Sequence, residues 1–440
     1  MVRPAKLLFI PRALLIFSVS LGFFVGSKLQ ATSFKLVAIG DSLTEEYTFE
    51  IPFSYPGARN WVEILHAERP SEFSMGAYDS RYLSYPDRRN GGYEFNYGIP
   101  GYTTRDWEEV LYDPGSFSLH RFTRNALDSD LQIVDAALIF LGGNDLKSNY
   151  TGIYADPVPP PFLADIPPRI IKLHSYIRNH APAGFPIIIA TLPDISATPD
   201  ITGNATYQDP ARAIIARQRI ASVNASLIGL ASALPDTYIA RIDSLTDRIH
   251  DQSPFELNGT EFTYFKLPEG NSNPPLHLFT HDGFHPNTAG QALLANEILK
   301  AINQFAQPPI PLMENREILS DVLAQNPDQP YLDWAGTRGG PNDNPDGDAL
   351  PNLMEFLLAT DPSLPNAAFT FSSDGTASYL PDASASRYAT LTPLQSATLN
   401  NDWVPVPPSR LQNLPDGTIR ILPSSTDKKL FYIHQAVPNP

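Results

Sequence analysis

The chain has 440 residues, a net charge of −16 and no cysteine. A disulfide framework, a thiol nucleophile and a Cys-based metal site are therefore excluded, and so acidic a chain is poorly suited to nucleic acid or anionic membranes. Its length exceeds one typical domain, and 44 prolines, about double the usual share, favour extended loops and linkers.

Residues 1–31 carry Arg3, Lys6, Arg12 and Lys28 and no acid. A basic start followed by the apolar run Ala13–Gly26 reads as a secretory signal, because a spanning helix needs about 20 apolar residues. Leu29-Gln30-Ala31 is the expected cleavage site. The expected location is outside the cell, in a bacterial periplasm or at the cell surface, with no stable membrane insertion after cleavage. An uncleaved membrane anchor is the alternative.

From about 34 to 305 short apolar runs alternate with amphipathic segments. Predicted strands are 34–39, 93–97, 136–141, 186–192 and 237–242. Predicted helices are 59–67, 103–112, 168–181, 208–233 and 287–305. Alternating βα units with near-continuous apolar strands imply a parallel sheet covered on both faces. Residues 68–92 and 243–280 read as long loops, which are often functional. Gln307-Pro-Pro-Ile-Pro-Leu312 marks a linker, and short β-like runs from 368 to 437 predict a small all-β module. The expected organisation is a signal at 1–31, an α/β domain at 32–305, a linker at 306–330, an acidic-loop segment at 331–365 and a β module at 366–440.

Four blocks carry reactive residues. Gly40-Asp41-Ser42-Leu43-Thr44-Glu45 follows the first strand and puts a serine at the carboxyl edge of the sheet, where α/β proteins bind ligands. It is not the Gly-x-Ser-x-Gly elbow, since Thr44 stands at the last position. Asn96-Tyr-Gly98-Ile-Pro-Gly101 and Gly142-Gly143-Asn144-Asp145 follow later strands and offer an unshielded N–H and an amide. Asp282-Gly-Phe-His285 places a carboxylate three residues before an imidazole, just ahead of the last helix, as a serine nucleophile requires. Asp247-Arg-Ile-His250 repeats that spacing without a helix boundary, which suits a solvated pair.

Taken in order, these blocks resemble those of the SGNH (GDSL-type) hydrolase family over residues 34–305. The resemblance implies a three-layer α/β/α sandwich with a five-stranded parallel sheet. It implies Ser42 as nucleophile, His285 as general base and Asp282 as its orienter. The oxyanion hole would be the Ser42 N–H, the Gly101 N–H and the Asn144 side chain. The implied reaction is ester hydrolysis through an acyl-serine intermediate, with no cofactor for catalysis. Small-molecule or polysaccharide esters are the expected substrates, acetylated carbohydrate first. The alternatives are a lipase or lysophospholipase-type acyl hydrolase and, in another class, a non-catalytic binding or adhesion protein on the same fold.

Asn344, Asp346, Asp348, Asn352 and Glu355 supply oxygens at positions 1, 3, 5, 9 and 12 of a calcium loop. The segment is similar to the single calcium loops of dockerin- or thrombospondin-type modules. It departs from them at Asn344, where Asp is usual, and at Ala349, where Gly makes the turn. A structural calcium is the expectation there.

Overall fold

The computed structural model describes residues 33–440 except 50–54, 82–88, 90, 114–118, 252–253, 266–271, 401 and 425–429. The expected signal at 1–31 lies outside the described residues.

Strand β1 (Phe34–Gly40) is the spine of the main sheet. Leu36 to Ile39 are fully buried, which explains an unbroken apolar run rather than alternation. On one side β1 pairs with β4 (Ala136–Phe140), then β5 (Ile187–Ala190) and β6 (Thr237–Ala240). On its other side two short strands follow one another: β2 (Phe73–Ser74) against Phe34–Lys35, and β3 (Asn96–Gly98) against Ala38–Gly40. Every pairing is parallel, so the sheet has six strands in five positions.

Side chains alternate across the sheet and build two cores. Leu36, Ala38, Leu138 and Ile188 pack with helices α1 (Trp61–Glu68) and α9 (Thr288–Ile302). Val37, Ile39, Ile139 and Ile189 pack with α2 (Thr104–Tyr112), α3 (Leu119–Asp130), α6 (Phe162–His180) and α7 (Pro210–Ala233). Two further short helices, α4 (Gly143–Ser148) and α5 (Tyr150–Ala155), follow β4.

Several boundaries differ from the sequence reading. The strand expected at 93–97 is split: Gly92–Tyr93 pairs with Tyr78–Asp79, and only 96–98 joins the main sheet. Helix α6 starts at Phe162 rather than 168 and contains Pro167 and Pro168, because Leu163 and Ile166 already bury on the core. The stretch expected as a loop at 243–280 holds α8 (Asp243–Asp251) and a hairpin of β7 (Phe255–Leu257) with β8 (Thr260–Phe262). Its polarity misleads because α8 buries Thr246 and rests Leu245 and Ile249 on the core, leaving its charged face outward.

Residues 306–323, read as part of a linker, pack into the first core through Ile310, Met313, Ile318, Leu319 and Val322. Arg69 fastens them: its guanidinium meets the Glu317 carboxylate at 2.5 and 2.9 Å and donates to the carbonyls of Pro311 and Leu312. Beyond, α10 (Gln329–Ala335) and α11 (Asn352–Leu358) share a small core with Tyr388 and Ala389. Two antiparallel sheets follow. One has four strands, β9 (Thr370–Phe371), β10 (Ala377–Tyr379), β14 (Ile419–Ile421) and β13 (Leu411–Asn413); the other joins β12 (Val404–Pro405), β11 (Ala389–Ser396) and β15 (Phe431–Pro438). The C-terminal part is bonded to the β7–β8 hairpin by Arg387–Glu256 and by Asn258 Nδ2 donating to the carbonyls of Asn439 and Pro440. Ser33–Pro440 forms one compact unit.

Leu319→Ala is expected to cost about 2–5 kcal/mol of stability, the usual loss for a fully buried leucine. Urea unfolding checks it; a change within about 0.5 kcal/mol, as at an exposed site, would restore the linker reading.

Candidate active site

The turn after β1 is held from three sides. The Asp41 carbonyl accepts from the N–H groups of Thr44 and Glu45 at 3.0 Å, and its Oδ1 accepts from Leu43 N–H. Asn60 Nδ2 donates to the carbonyls of Thr44 and Glu45 at 2.8 Å, and Asn96 Nδ2 donates to Thr44 O at 2.8 Å. Asn60 also caps α1 in a reciprocal box with Glu63. Gly98 lets β3 come close, for a Cβ there would lie 2.3 Å from the Glu45 nitrogen. The result is a rigid turn that presents a largely buried Ser42 at the carboxyl edge of the sheet.

Ser42 Oγ lies 2.8 Å from His285 Nε2, and His285 Nδ1 lies 2.6 Å from Asp282 Oδ2. The other carboxylate oxygen of Asp282 accepts from the N–H groups of Phe284 and His285 and from Thr280 Oγ1. The loop is tied down on both sides: Thr280 N–H donates to His285 O and Asp200 N–H to Gly283 O. Asn287 then caps α9. Burial alone would raise the Asp282 carboxyl, but the bond from His285, its charge and the two backbone N–H groups hold it far below the usual carboxylate range. An ionised Asp282 fixes the imidazole proton on Nδ1 and leaves Nε2 free to accept the Ser42 proton.

Gly101 is exposed at φ +76°, with open space where a Cβ would stand. It needs glycine for its backbone angle rather than for room. Among the described residues the N–H groups of Ser42 and Gly101 have no acceptor. Asn144 Nδ2 donates to Tyr102 O at 3.1 Å and lies 3.4 Å from Asp41 Oδ2. Its placement comes from Gly142, at φ +118° before α4, and from Asp145, whose carboxylate accepts from Thr104 N–H and Oγ1. Ser42, Asp282 and His285 are thus brought together, and Asn144 reaches Asp41 in the Ser42 turn.

The second Asp-x-x-His spacing forms no such pair. On α8, His250 Nε2 faces Asp194 at 3.1 Å and Ser196 Oγ at 3.3 Å, while Asp247 faces Arg217 at 3.8 Å. Two tyrosines were missed by sequence reasoning. Tyr55 Oη lies 2.9 Å from His285 Nδ1, and Tyr47 Oη donates to Pro286 O at 2.6 Å. Neither stands in a recognisable motif; a loop rich in aromatics just after the serine is the one signal available.

In the C-terminal segment, Asp346, Asp348 and Glu355 offer carboxylate oxygens within 4.8 Å of one another. Glu355 is fully buried, and its Oε2 has no hydrogen-bond partner. Burial and the charges of Asp346 and Asp348 raise its pKa. Such a donor set fits a hard cation. The asparagines also hold the loop: Asn344 bonds Gly347 N–H and Asp348 O, and Asn352 Nδ2 donates to Arg338 O and Gly340 O, while its buried Oδ1 has no hydrogen-bond partner among the described residues.

A family model described as GDSL-like Lipase/Acylhydrolase matches residues 36–298. Among solved structures, the chain is similar to a family 3 carbohydrate esterase of Clostridium thermocellum at 13% identity, covering 62% of this chain and 96% of that one with a TM-score of 0.33. It is also similar to an extracellular lipase of Streptomyces rimosus (13%, 62% and 100%, 0.34) and to a possible lipase of Chitinophaga pinensis (17%, 61% and 98%, 0.34). No curated protein matches.

Glu46, in the Ser42 turn, is fully buried and accepts from Tyr93 N–H at 2.8 Å. Burial outweighs that bond and pushes its carboxyl from 4.5 up to about 8. The folded state therefore keeps a proton that the unfolded chain has lost, and Glu46 costs stability progressively as pH rises from about 4.5 through about 8. Glu46→Gln should gain stability relative to the native protein at pH 8.5 compared with pH 5.5. Urea titrations at both values check this, and an equal difference at the two would refute it.

Proposed function

The chain belongs to the GDSL-like lipase/acylhydrolase family and is an ester-hydrolysing enzyme; from this premise we propose that it is an exported serine esterase acting through an acyl-Ser42 intermediate, with short acyl esters of carbohydrates as substrates. The observation that carries the mechanism is the hydrogen-bonded run from Ser42 Oγ through His285 to Asp282.

Ser42 Oγ attacks the ester carbonyl as His285 Nε2 takes its proton. Charge on the former carbonyl oxygen meets the N–H groups of Ser42 and Gly101 and the Asn144 amide, which gives up its long contact with Asp41. Collapse breaks the bond to the alcohol, and His285 returns the proton to that leaving oxygen. Water then attacks the acyl-serine, with its proton passing to Nε2. The second collapse frees the acid and restores Ser42. Asp282 stays ionised throughout, which keeps the imidazolium paired.

A small apolar cavity next in sequence to the reactive residues supports the short-acyl reading. An apolar cavity of about 60 Å³ is walled by Leu43, next to Ser42, by Phe284 and Pro286, which flank His285, and by Ile195 and Leu293. A cavity of about 150 Å³ takes benzene, so this one suits a chain of a few carbons. A lipase needs a longer apolar channel, and that reading is the second. The acidic chain and the appended module support a polysaccharide over a lipid surface. Export rests on the basic and apolar pattern of residues 1–31. Among the described residues no helix is long and apolar enough to cross a membrane.

Ser42→Ala should lower turnover by about 10⁶-fold, and the native enzyme should cleave p-nitrophenyl acetate far faster than the palmitate ester. Activity retained in Ser42→Ala would sink the serine mechanism; a palmitate preference would favour the lipase reading.

A structural calcium on Asp346, Asp348 and Glu355 is proposed for the C-terminal segment. Bound there, it would neutralise three crowded carboxylates. Millimolar Ca²⁺ should raise the melting temperature of the native protein but not of Glu355→Gln; the absence of any shift in the native protein would remove the site.

A further inference from the structure

The serine–imidazole–carboxylate run has a fourth member. The chain between Ser42 and α1 lays two tyrosines against the His285 loop. Their rings pack at a tilt of 39° with centroids 4.6 Å apart and, with Ala58, form a small buried cluster. Tyr47 holds the backbone: its hydroxyl donates to Pro286 O at 2.6 Å and accepts from Gln291 Nε2 at 2.7 Å. That fixes the residue after His285 to α9. Tyr55 meets the imidazole itself. Its ring centroid is 5.2 Å from that of His285, and its hydroxyl is 2.9 Å from Nδ1 and 3.4 Å from Asp282 Oδ2.

Proton accounting decides what this hydroxyl does. With Nε2 accepting from Ser42, the imidazole proton sits on Nδ1, so Tyr55 cannot donate there. Its lone pair faces the Nδ1–H, and its own proton faces the Asp282 carboxylate. We propose that Tyr55 is a positioning residue for His285: a second acceptor on the Nδ1–H and a donor to Asp282. It holds the tautomer that the reaction needs and closes the pair from solvent. This rests on the serine-esterase reading above. In that reading the imidazole gains a charge as Ser42 attacks, and the Tyr55 lone pair is an added neutral acceptor for it. Asp282, Ser42 and Tyr55 are the groups that bond the ring, with the rings of Tyr47 and Phe284 against its sides.

Tyr55→Phe keeps the ring and removes the hydroxyl alone. It should lower kcat about tenfold, as expected for one hydrogen bond to a charged group, with KM within about twofold. The downfield proton resonance of the His285 Nδ1–H should move, because one of its two acceptors is gone. Adding the change to Asp282→Ala, where Tyr55 is the remaining acceptor of that pair, should cost more than it does in the native enzyme. An unmoved resonance overturns the proposal whatever the rate does. So does a raised KM with kcat intact, which would make Tyr55 a substrate contact. Ser42→Ala run in parallel separates the two readings. If it is inactive while Tyr55→Phe matches the native enzyme, only the role of Tyr55 falls. If it stays active, the serine mechanism falls and the resonance still reports whether the hydroxyl bonds Nδ1.

Discussion

Two backbone carbonyls, those of Thr44 and Glu45, bear the placement of the nucleophile. Leaving β1, the chain must turn sharply enough to present Ser42 and still satisfy the polar groups it buries. Asn60 grips both carbonyls and Asn96 grips one, each at 2.8 Å. Asn60 begins α1 and Asn96 begins β3, so a helix and an edge strand are both docked on the turn that carries the serine. The same bonds that fold this corner aim Ser42 Oγ at His285. Losing the Asn60 amide would take from the Glu45 carbonyl the amide that grips it and loosen the geometry at once.

Much of this was legible in the sequence because the physics behind it is local. The apolar runs at 34–39, 136–141 and 186–192 are strands buried on both faces, and such strands need no alternation to be recognised. The reactive blocks follow strands that are all parallel, so their positions at one sheet edge come from topology alone. Ser42, Asp282 and His285 meet as their spacing and order suggested. The residues that escaped notice act over long separations: Tyr55 reaches His285 across 230 positions and Arg69 reaches Glu317 across 248. No periodicity announces such contacts. Residues 306–323 misled for a related reason. Proline-rich composition marks irregular backbone, and irregular backbone can still bury Ile318 and Leu319 when a guanidinium satisfies its carbonyls.

The acidic C-terminal loop shows the same division. Its spacing of oxygen side chains pointed to five residues. In the fold, three carboxylates converge while Asn344 and Asn352 close the surrounding turns. Spacing specifies which groups can reach a point, and the amides of the asparagines hold the turns that carry them there.

Two carboxylates near the serine, Asp282 and Glu46, meet opposite environments. Asp282 is partly exposed and held strongly ionised, because an imidazole and two backbone N–H groups face it. Glu46 is fully buried and meets only neutral donors, so burial prevails and its carboxyl stays protonated near neutrality. Negative charge is thus held behind the imidazole, where it stabilises the imidazolium, while Glu46 adds none near neutrality. Burying Glu46 without a cation therefore costs stability as the pH rises, whereas Asp282 is held ionised by the imidazole it orients.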